Sequence, residues 1–261
     1  MSGKANFLID IHAHLDQYDS QEIPNILSRA QSAGIGLIVT AGTTVETSQT
    51  CVQLAHTNSM VYAGIGLHPM DLTGKVTDET WSYLHQLAVS EPKVVVISEV
   101  GLDFAPDHPP QQLQEAVFRN EIRMARELKL PIVFHTRDAT TETLRILREE
   151  HASEAGGVWH YFIGSTHQAR EAIEMGFYIS ISPPILHIPQ LQEVARTLSL
   201  NNLVLESDSF PQTWKRNREN WNEPKTVHAI AQKIADLLEI SPQEVQTITT
   251  NNALKILNIK Q

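Results

Sequence analysis

Six side chains that can bind a metal ion stand at the ends of short apolar runs along this chain. They are His12, His14, Glu99, His135, His160 and Asp208. Each run is typical of a β-strand. The carboxyl ends of parallel barrel strands meet at one face, so ligands that are nearly 200 residues apart in sequence can surround two metal ions. The pattern therefore predicts the site of a binuclear metallohydrolase.

Histidines are common in this chain, which has 12 of them, and most histidines are not ligands. His12 and His14 alternate along one strand, so we expect both to point to the same side and to share one metal. Seven others lie in helical or loop stretches and are interpreted as ordinary residues: His56, His85, His108, His151, His167, His187 and His228. One histidine at a strand end would be weak evidence, whereas four joined by Glu99 and Asp208 favour a metal site.

Glu99 ends a run of β-branched residues, and a buried carboxylate is costly unless it is paired or bound to metal. A salt bridge is the alternative interpretation, and Arg137 is the obvious basic partner for it. We favour Arg137 as a substrate contact, because it follows closely on His135.

Asp208 ends the last apolar run, where it can bind metal and accept a proton from an activated water. Glu206 lies on the same face of that strand and is a candidate to orient a ligand histidine. Asp10 stands in the same relation to His12, and is either such a partner or a residue packed inside the barrel.

The composition is that of a globular enzyme, with 261 residues, 41% hydrophobic and 19% charged, and a mean hydropathy of −0.20. This size predicts one domain over residues 1–261. The one cysteine, Cys51, excludes an internal disulfide. No apolar run reaches the roughly 20 residues of a membrane span, and residues 1–6 carry no leader signal, so we expect a cytoplasmic protein without membrane contact. The net charge of −10 argues against a broad polyanion-binding surface, although metal ions add positive charge locally.

Strands and helices alternate in the predicted order. Eight strands are expected at residues 7–13, 35–41, 61–67, 93–100, 131–136, 157–162, 176–182 and 203–208. Amphipathic helices are expected at 22–33, 44–57, 78–90, 111–130 and 140–151, and, after a polar loop at 210–224, at 226–238 and 241–257. In the helix at 111–130, Arg119, Glu121, Arg123 and Arg126 mostly occupy the polar face. The order predicts an α/β fold, a TIM-type (β/α)8 barrel with an extra C-terminal helix, and no Gly-x-Gly-x-x-Gly follows the first strand to suggest a dinucleotide site.

Several motifs resemble those of the TatD family of metal-dependent deoxyribonucleases, within the wider amidohydrolase-like group, over nearly the whole chain. The matching segments are 10–14, 66–69, 98–103, 135–139, 160–165, 206–208, 222–224 and 250–253. The chain departs from the family pattern at Met70, Ser98, Tyr161 and Ser207, and none of these is a candidate ligand. Met70 replaces a second histidine, so a phosphate contact is not expected at that position.

The resemblance implies two divalent ions, held by His12, His14 and Asp208 on one side and by His135 and His160 on the other, with Glu99 as the bridge. It also implies a nuclease that trims single-stranded DNA from the 3′ end, in which Asp208 and Glu99 are catalytic and His68 contacts the phosphate or supports a ligand. Zn, Mn, Ni, Co and Mg all remain open as the metal.

A basic rim is predicted in the loop that follows Asp208. Lys215, Arg216 and Arg218 are expected to contact DNA there, and Trp214 and Trp221 can stack a base, unless both tryptophans pack on the barrel. Two other functions stay open. One is an amidohydrolase, lactonase or phosphotriesterase acting on a small substrate, and the other is a metal-stabilised binding scaffold. Many enzymes of the first kind carry a modified lysine on strand four, where this chain has Glu99, which favours the nuclease.

Overall fold

Strands and helices alternate through residues 7–260, the part of the chain that this computed structural model describes. The strands are β1 Leu8–Ala13, β2 Ile35–Ala41, β3 Val61–Ile65, β4 Val94–Asp103, β5 Ile132–Arg137, β6 Gly157–Trp159, β7 Phe177–Ile181 and β8 Leu203–Leu205. The helices are α1 Ile23–Ser32, α2 Val45–Thr57, α3 Asp78–Ser90, α4 Gln111–Leu128, α5 Thr140–Glu149, α6 Thr166–Glu174, α7 Pro189–Thr197, α8 Thr226–Leu238 and α9 Pro242–Ile256. Residues 1–6, to which the prediction about a leader signal refers, and residue 261 lie outside the described residues.

Neighbouring strands pair in chain order from β1 to β8, and every pair is parallel. The chain just after β8 meets β1, because Asp208 N donates to His12 O at 2.9 Å and His14 N donates to Ser209 O at 2.8 Å. The buried Asp10 carboxylate accepts from Ser207 N at 2.8 Å and reinforces this contact. The predicted TIM-type barrel is therefore confirmed, and these contacts bring β1 and the residues after β8 together at the carboxyl face.

The extra C-terminal helix α9 belongs to the barrel core. Its Leu254, and Leu257 directly after it, join a buried cluster with strand residues that include Val39, Val133 and Val204. The predicted helix start is also present, because the Ser241 side chain accepts from Glu244 N at 3.2 Å. No helix within the described residues has the length and apolarity that crossing a membrane requires. The single domain over residues 1–261 and the cytoplasmic location stay predictions.

Several strand boundaries, among them the ends of β3, β6 and β8, and one helix face differ from the predictions. Strand β8 ends at Leu205, so Asp208 lies beyond it with a left-handed φ of 47°, whereas β4 continues through Asp103. Glu121 was predicted on the polar face of α4, but it is fully buried. Its Oε1 accepts a hydrogen bond from Leu67 N at 2.8 Å, so the loop after β3 covers this part of α4.

Candidate metal centre

One group of donor atoms surrounds Oε2 of Glu99. The Nε2 atoms of His12 and His14, which alternate at the end of β1, each lie 3.4 Å from this oxygen and 3.3 Å from each other. Asp208 Oδ1 lies 3.5 Å from His14 Nε2 and 3.9 Å from His12 Nε2. All four side chains are largely or fully buried, as the alternation along β1 predicted for the two histidines.

A second group surrounds the other oxygen of Glu99, Oε1. His135 Nδ1 and His160 Nε2 each lie 3.4 Å from it, and His68 Nε2 lies at 3.3 Å. His160 Nε2 is also 3.9 Å from Asp208 Oδ1. The structure thus brings all six sequence-predicted ligands into one centre, together with His68, for which the family resemblance implied a place close to the site. The two oxygens of Glu99 face different groups.

The spacing and chemistry of these donors fit metal ions. Donor atoms arranged tetrahedrally about 2.0–2.1 Å from a cation lie about 3.3–3.4 Å apart, and the contacts to the two Glu99 oxygens have this length. The carboxylate and the imidazoles suit Zn, Mn, Ni or Co. Buried groups of this kind are recognised at His12, His14 and Glu99, at His12, His160 and Asp208, and at His68, Glu99 and His135.

In His14, His135 and His160 one ring nitrogen, the inner one, faces Glu99, and the other, the outer one, faces away from it. The partner of the outer nitrogen decides whether the inner nitrogen has a lone pair for a metal. His14 Nδ1 faces Ala41 O at 3.1 Å, and His160 Nδ1 faces Glu206 Oε2 at 3.0 Å. His135 Nε2 faces Asp103 Oδ2 at 2.9 Å. These outer partners are acceptors, so in the neutral rings the outer nitrogens carry the hydrogens and the inner ones are lone pairs. Glu206 therefore has the histidine-orienting position that the sequence suggested, and Asp103, which the sequence did not single out, has the same one.

His68 has the opposite arrangement. Its Nδ1 accepts a hydrogen bond from Met70 N at 3.1 Å, so in the neutral ring Nε2 carries the hydrogen and can donate to Glu99 Oε1 at 3.3 Å. This ring is therefore suited to donate hydrogen bonds rather than to bind a metal. His68 therefore differs in its tautomer from His135 and His160, although all three lie at similar distances from Glu99.

The charges in the centre attract cations. Burial raises the pKa of the Glu99 carboxyl, but the charges of His68 and His160 outweigh burial and hold that pKa well below its usual range. Burial likewise raises the pKa of Asp208, and the hydrogen bond with His14 and the charge of His160 bring it below its usual range. Burial lowers the pKa of His160, whereas Glu206 and Glu99 raise it to about 9. Positive charge is therefore favoured here, whether a proton or a metal ion supplies it.

An open cleft of about 550 Å³ leads to the centre. Its walls include Met70, Arg137, Tyr161, Ile163 and Phe210. Arg137 does not pair with Glu99, the alternative that the sequence had left open. Its Nη2 lies 2.9 Å from Asp103 Oδ2, and the side chain is 46% exposed at the cleft. Asp103 therefore holds both a candidate ligand histidine and the arginine expected to contact substrate.

His108, interpreted from the sequence as an ordinary loop residue, completes this arrangement. Its Nδ1 lies 2.8 Å from Asp103 Oδ1, and its Nε2 lies 3.4 Å from Arg137 Nη2. The Nδ1 hydrogen is donated to the carboxylate, so Nε2 can accept from the guanidinium. The carboxylate of Asp103 at the end of β4 is a sequence signal that could have pointed to this group, but its partners lie on other elements.

At Arg218 the structure differs from the basic rim that the sequence predicted. Its guanidinium pairs with Glu22 and Glu223, each at 2.7 Å, and lies 4.4 Å from the ring centroid of Trp221. Arg218 is therefore neutralised beside α1, and the rim is reduced to the exposed Lys215 and Arg216. Lys215 Nζ donates to a backbone carbonyl of the same loop at 2.9 Å.

The two tryptophans of this loop were expected either to stack a base or to pack on the barrel, and they differ in their surroundings. Trp221 packs against the core and its ring lies 6.4 Å from that of Tyr18, as expected for a residue packed on the barrel. Trp214 is 66% exposed, and its ring centroid lies 5.8 Å from that of Phe210. Only Trp214 therefore presents an open aromatic face.

Comparisons with known proteins agree with the fold and with a metal-dependent hydrolase. Residues 9–258 match the family described as TatD related DNase. A Bacillus subtilis relative named uncharacterized metal-dependent hydrolase YabD is 37% identical over 97% of this chain and 99% of its own length. Human deoxyribonuclease TATDN3 is 30% identical, over 95% of this chain and 94% of its own length. The crystal structure of YJJV, a TatD homologue from Escherichia coli, matches with a TM-score of 0.88 and 27% identity over 98% of this chain and 99% of that chain.

The chain belongs to the TatD family of metal-dependent hydrolases. The predicted family, fold and enzyme class are thereby confirmed, and a residue set able to bind metal is present in the barrel.

Proposed function

We propose that this protein is a deoxyribonuclease that hydrolyses phosphodiester bonds of DNA with two divalent metal ions. The observation that carries the proposal is the arrangement of Glu99, whose two oxygens each face a separate group of imidazole nitrogens. The name of the human relative and the description of the family support DNA as the substrate class. The preference for single strands and for the 3′ end rests on the family resemblance.

Each residue has a definite role in this proposal. His12, His14 and Asp208 would hold one cation, His135 and His160 the other, and Glu99 would contact both. Divalent cations at such a site supply Lewis acidity toward a phosphoryl oxygen and make water a better nucleophile at neutral pH.

The remaining chemistry belongs to side chains at the cleft. Asp208 is ionised at neutral pH, because its pKa lies below the usual range, so its carboxylate can take the proton of the attacking water. Arg137 is held at the cleft by Asp103, where its guanidinium can neutralise charge that develops on the phosphoryl oxygens. The Nε2 hydrogen of His68 can serve the same oxygens once Glu99 is engaged elsewhere.

Three substitutions separate metal binding from chemistry. Glu99→Ala should lose metal from both positions, because its carboxylate serves both groups. Asp208→Asn should keep much of the metal but lower turnover by at least about a hundredfold, as expected for the loss of a general base. His68→Ala should keep the metal and lower turnover, because its ring donates a hydrogen bond. His228→Ala, at an exposed position on α8, is the matched control and should change neither property.

The measurements are elemental analysis of the purified protein and hydrolysis of labelled single- and double-stranded DNA beside a panel of small esters and amides. We expect up to two divalent ions per chain, loss of activity on chelation and recovery when metal is restored. A strand labelled at its 5′ end should shorten stepwise. Full activity after verified metal removal would contradict the mechanism. Turnover of an ester or amide with none of DNA would assign the protein to the small-molecule hydrolases instead.

A further inference from the structure

A second cleft of about 520 Å³ opens beside the metal centre. It shares three wall residues, Tyr161, Asp208 and Phe210, with the cleft that contains the candidate ligands. Its outer part is formed by Trp214 and Lys215 in the loop after β8 and by the segment after β7. The volume lies in the range of about 300–1,000 Å³ that is usual for small-ligand sites. A substrate group bound at Asp208 can therefore continue directly into this second cleft.

Aromatic rings line the second cleft from its inner wall to its mouth. Tyr161 lies next to the centre, and its backbone N donates to Glu206 Oε1 at 2.6 Å, which fixes the residue in place. Phe210 and Trp214 follow, with their ring centroids 5.8 Å apart. With 66% of its surface exposed, Trp214 offers a flat face that no other ring of this cleft covers among the described residues. Aromatic faces of this kind are platforms for flat ring systems.

A positive charge stands beside the rings. Lys215 Nζ donates to Asn220 O at 2.9 Å, so the ammonium group lies within the loop that forms the cleft. A polynucleotide alternates flat bases with anionic phosphates, and an aromatic platform next to an ammonium group matches that alternation. An apolar peptide or a second copy of this acidic chain matches it less well, because neither offers a regular anionic group.

We propose that the second cleft binds the nucleoside next to the scissile phosphate, with its base stacked on Trp214 and Phe210 and the following phosphate near Lys215. This inference rests on the proposed nuclease function and names the part of the substrate that the cleft takes. Trp221 has no such role, because the guanidinium of Arg218 covers its ring at 4.4 Å. Stacking without hydrogen bonds to base edges would make the site tolerant of sequence.

Equilibrium binding tests the stacking directly. In the background of Asp208→Asn, which blocks turnover, the dissociation constant is measured for a single-stranded oligonucleotide and for the same strand with reduced abasic sites at its three 3′-terminal positions. Removing the bases should weaken binding roughly five- to a hundredfold, the effect of losing base–aromatic stacking. In Asp208→Asn with Trp214→Ala the two strands should bind almost equally, because the platform is absent.

Two further variants separate the aromatic face from mere bulk. Trp214→Phe should keep most of the preference for the strand with bases, whereas Trp214→Leu should lose it. Both substitutions are at an exposed position, and thermal unfolding of each variant checks that the fold is intact.

The outcomes distinguish this inference from the proposed function. The inference is overturned if the protein prefers the strand with bases over the abasic strand by the same factor with and without Trp214. It is also overturned if neither strand binds to Asp208→Asn, even if the wild-type protein hydrolyses DNA. A preference that depends on Trp214, in a wild-type protein that hydrolyses no DNA, supports the base-binding cleft and contradicts the nuclease.

Discussion

Glu206 offers a sharp test of how the centre is organised. The side chain is fully buried, and its two oxygens face two donors, His160 Nδ1 at 3.0 Å and Tyr161 N at 2.6 Å. The carboxylate therefore fixes both the tautomer and the orientation of the His160 ring. In the neutral ring the opposite nitrogen, Nε2, faces Glu99 with its lone pair.

The informative substitution is Glu206→Gln, which keeps the size and removes one acceptor. Because both neighbours are donors, the amide oxygen can serve only one of them, and the amide NH2 must face the other. Loss of an outer partner of a ligand histidine typically lowers metal affinity by about 10- to 100-fold. This corresponds to about 1.4–2.7 kcal/mol, which agrees with the roughly 1.5–3 kcal/mol of a hydrogen bond to a charged group.

The assay is competition for metal against a chelating indicator, followed by elemental analysis after dialysis. Asp10→Asn is a matched control, because Asp10 is equally buried and also lies two residues before a candidate ligand. Asp10 contacts Ser207 and the backbone of His12, but no imidazole nitrogen. The Ser207 hydroxyl can turn to accept from an asparagine. Metal affinity that is unchanged in Glu206→Gln, or lowered equally in Asp10→Asn, would refute the orienting role of Glu206.

Three other expectations concern stability and the loop after β8. Burial raises the pKa of Glu121 well above its usual value, so the free energy of unfolding should fall as pH rises above about 4.3, where the unfolded carboxyl ionises. Glu121→Gln should remove this pH dependence, measured by urea unfolding between about pH 4 and 7. Glu223→Gln should cost about 1.5–3 kcal/mol and lower the Tm by roughly 3–12 °C in calorimetry, because this buried carboxylate accepts from two arginines. Replacing Lys215 and Arg216 with alanine should lower the log-log salt slope of single-strand binding by about 0.7 per lost phosphate contact, whereas Arg218→Ala should leave it nearly unchanged.

The fold could be predicted because its signals are local. Apolar runs, amphipathic periods and helix caps lie within a few residues of one another, and eight alternating units leave few topologies. The predicted bounds failed where distant contacts decide them. The last strand ends at Leu205, and the backbone changes partners just beyond it: Glu206 N still donates to Ile181 O of β7, whereas Asp208 N donates to His12 O across the barrel. Glu121 was placed on the wrong face, because its partner lies in the loop after β3.

The candidate ligands could be predicted for the same reason that the strands could. A metal-binding side chain at the end of a parallel strand must reach the carboxyl face, whatever its distance along the chain. The positions of the charged groups around them could not be predicted in this way. Arg218 follows Lys215 and Arg216 in sequence, yet Glu22 at the start of α1 and the buried Glu223 hold its guanidinium away from the cleft.

His68 shows most clearly what sequence spacing leaves undetermined. It lies beyond the end of β3, in a turn whose backbone is held by a hydrogen bond from His68 N to Thr43 O at 2.8 Å. That turn brings Met70 N to Nδ1 of the ring and so assigns the hydrogen to Nε2, which faces Glu99. The acceptors behind His14, His135 and His160 leave a lone pair toward Glu99 in the neutral ring, whereas the donor behind His68 leaves a hydrogen there. The residue type is the same in both cases, so whether a lone pair or a hydrogen faces Glu99 depends on the backbone or side-chain group that the fold places behind the ring.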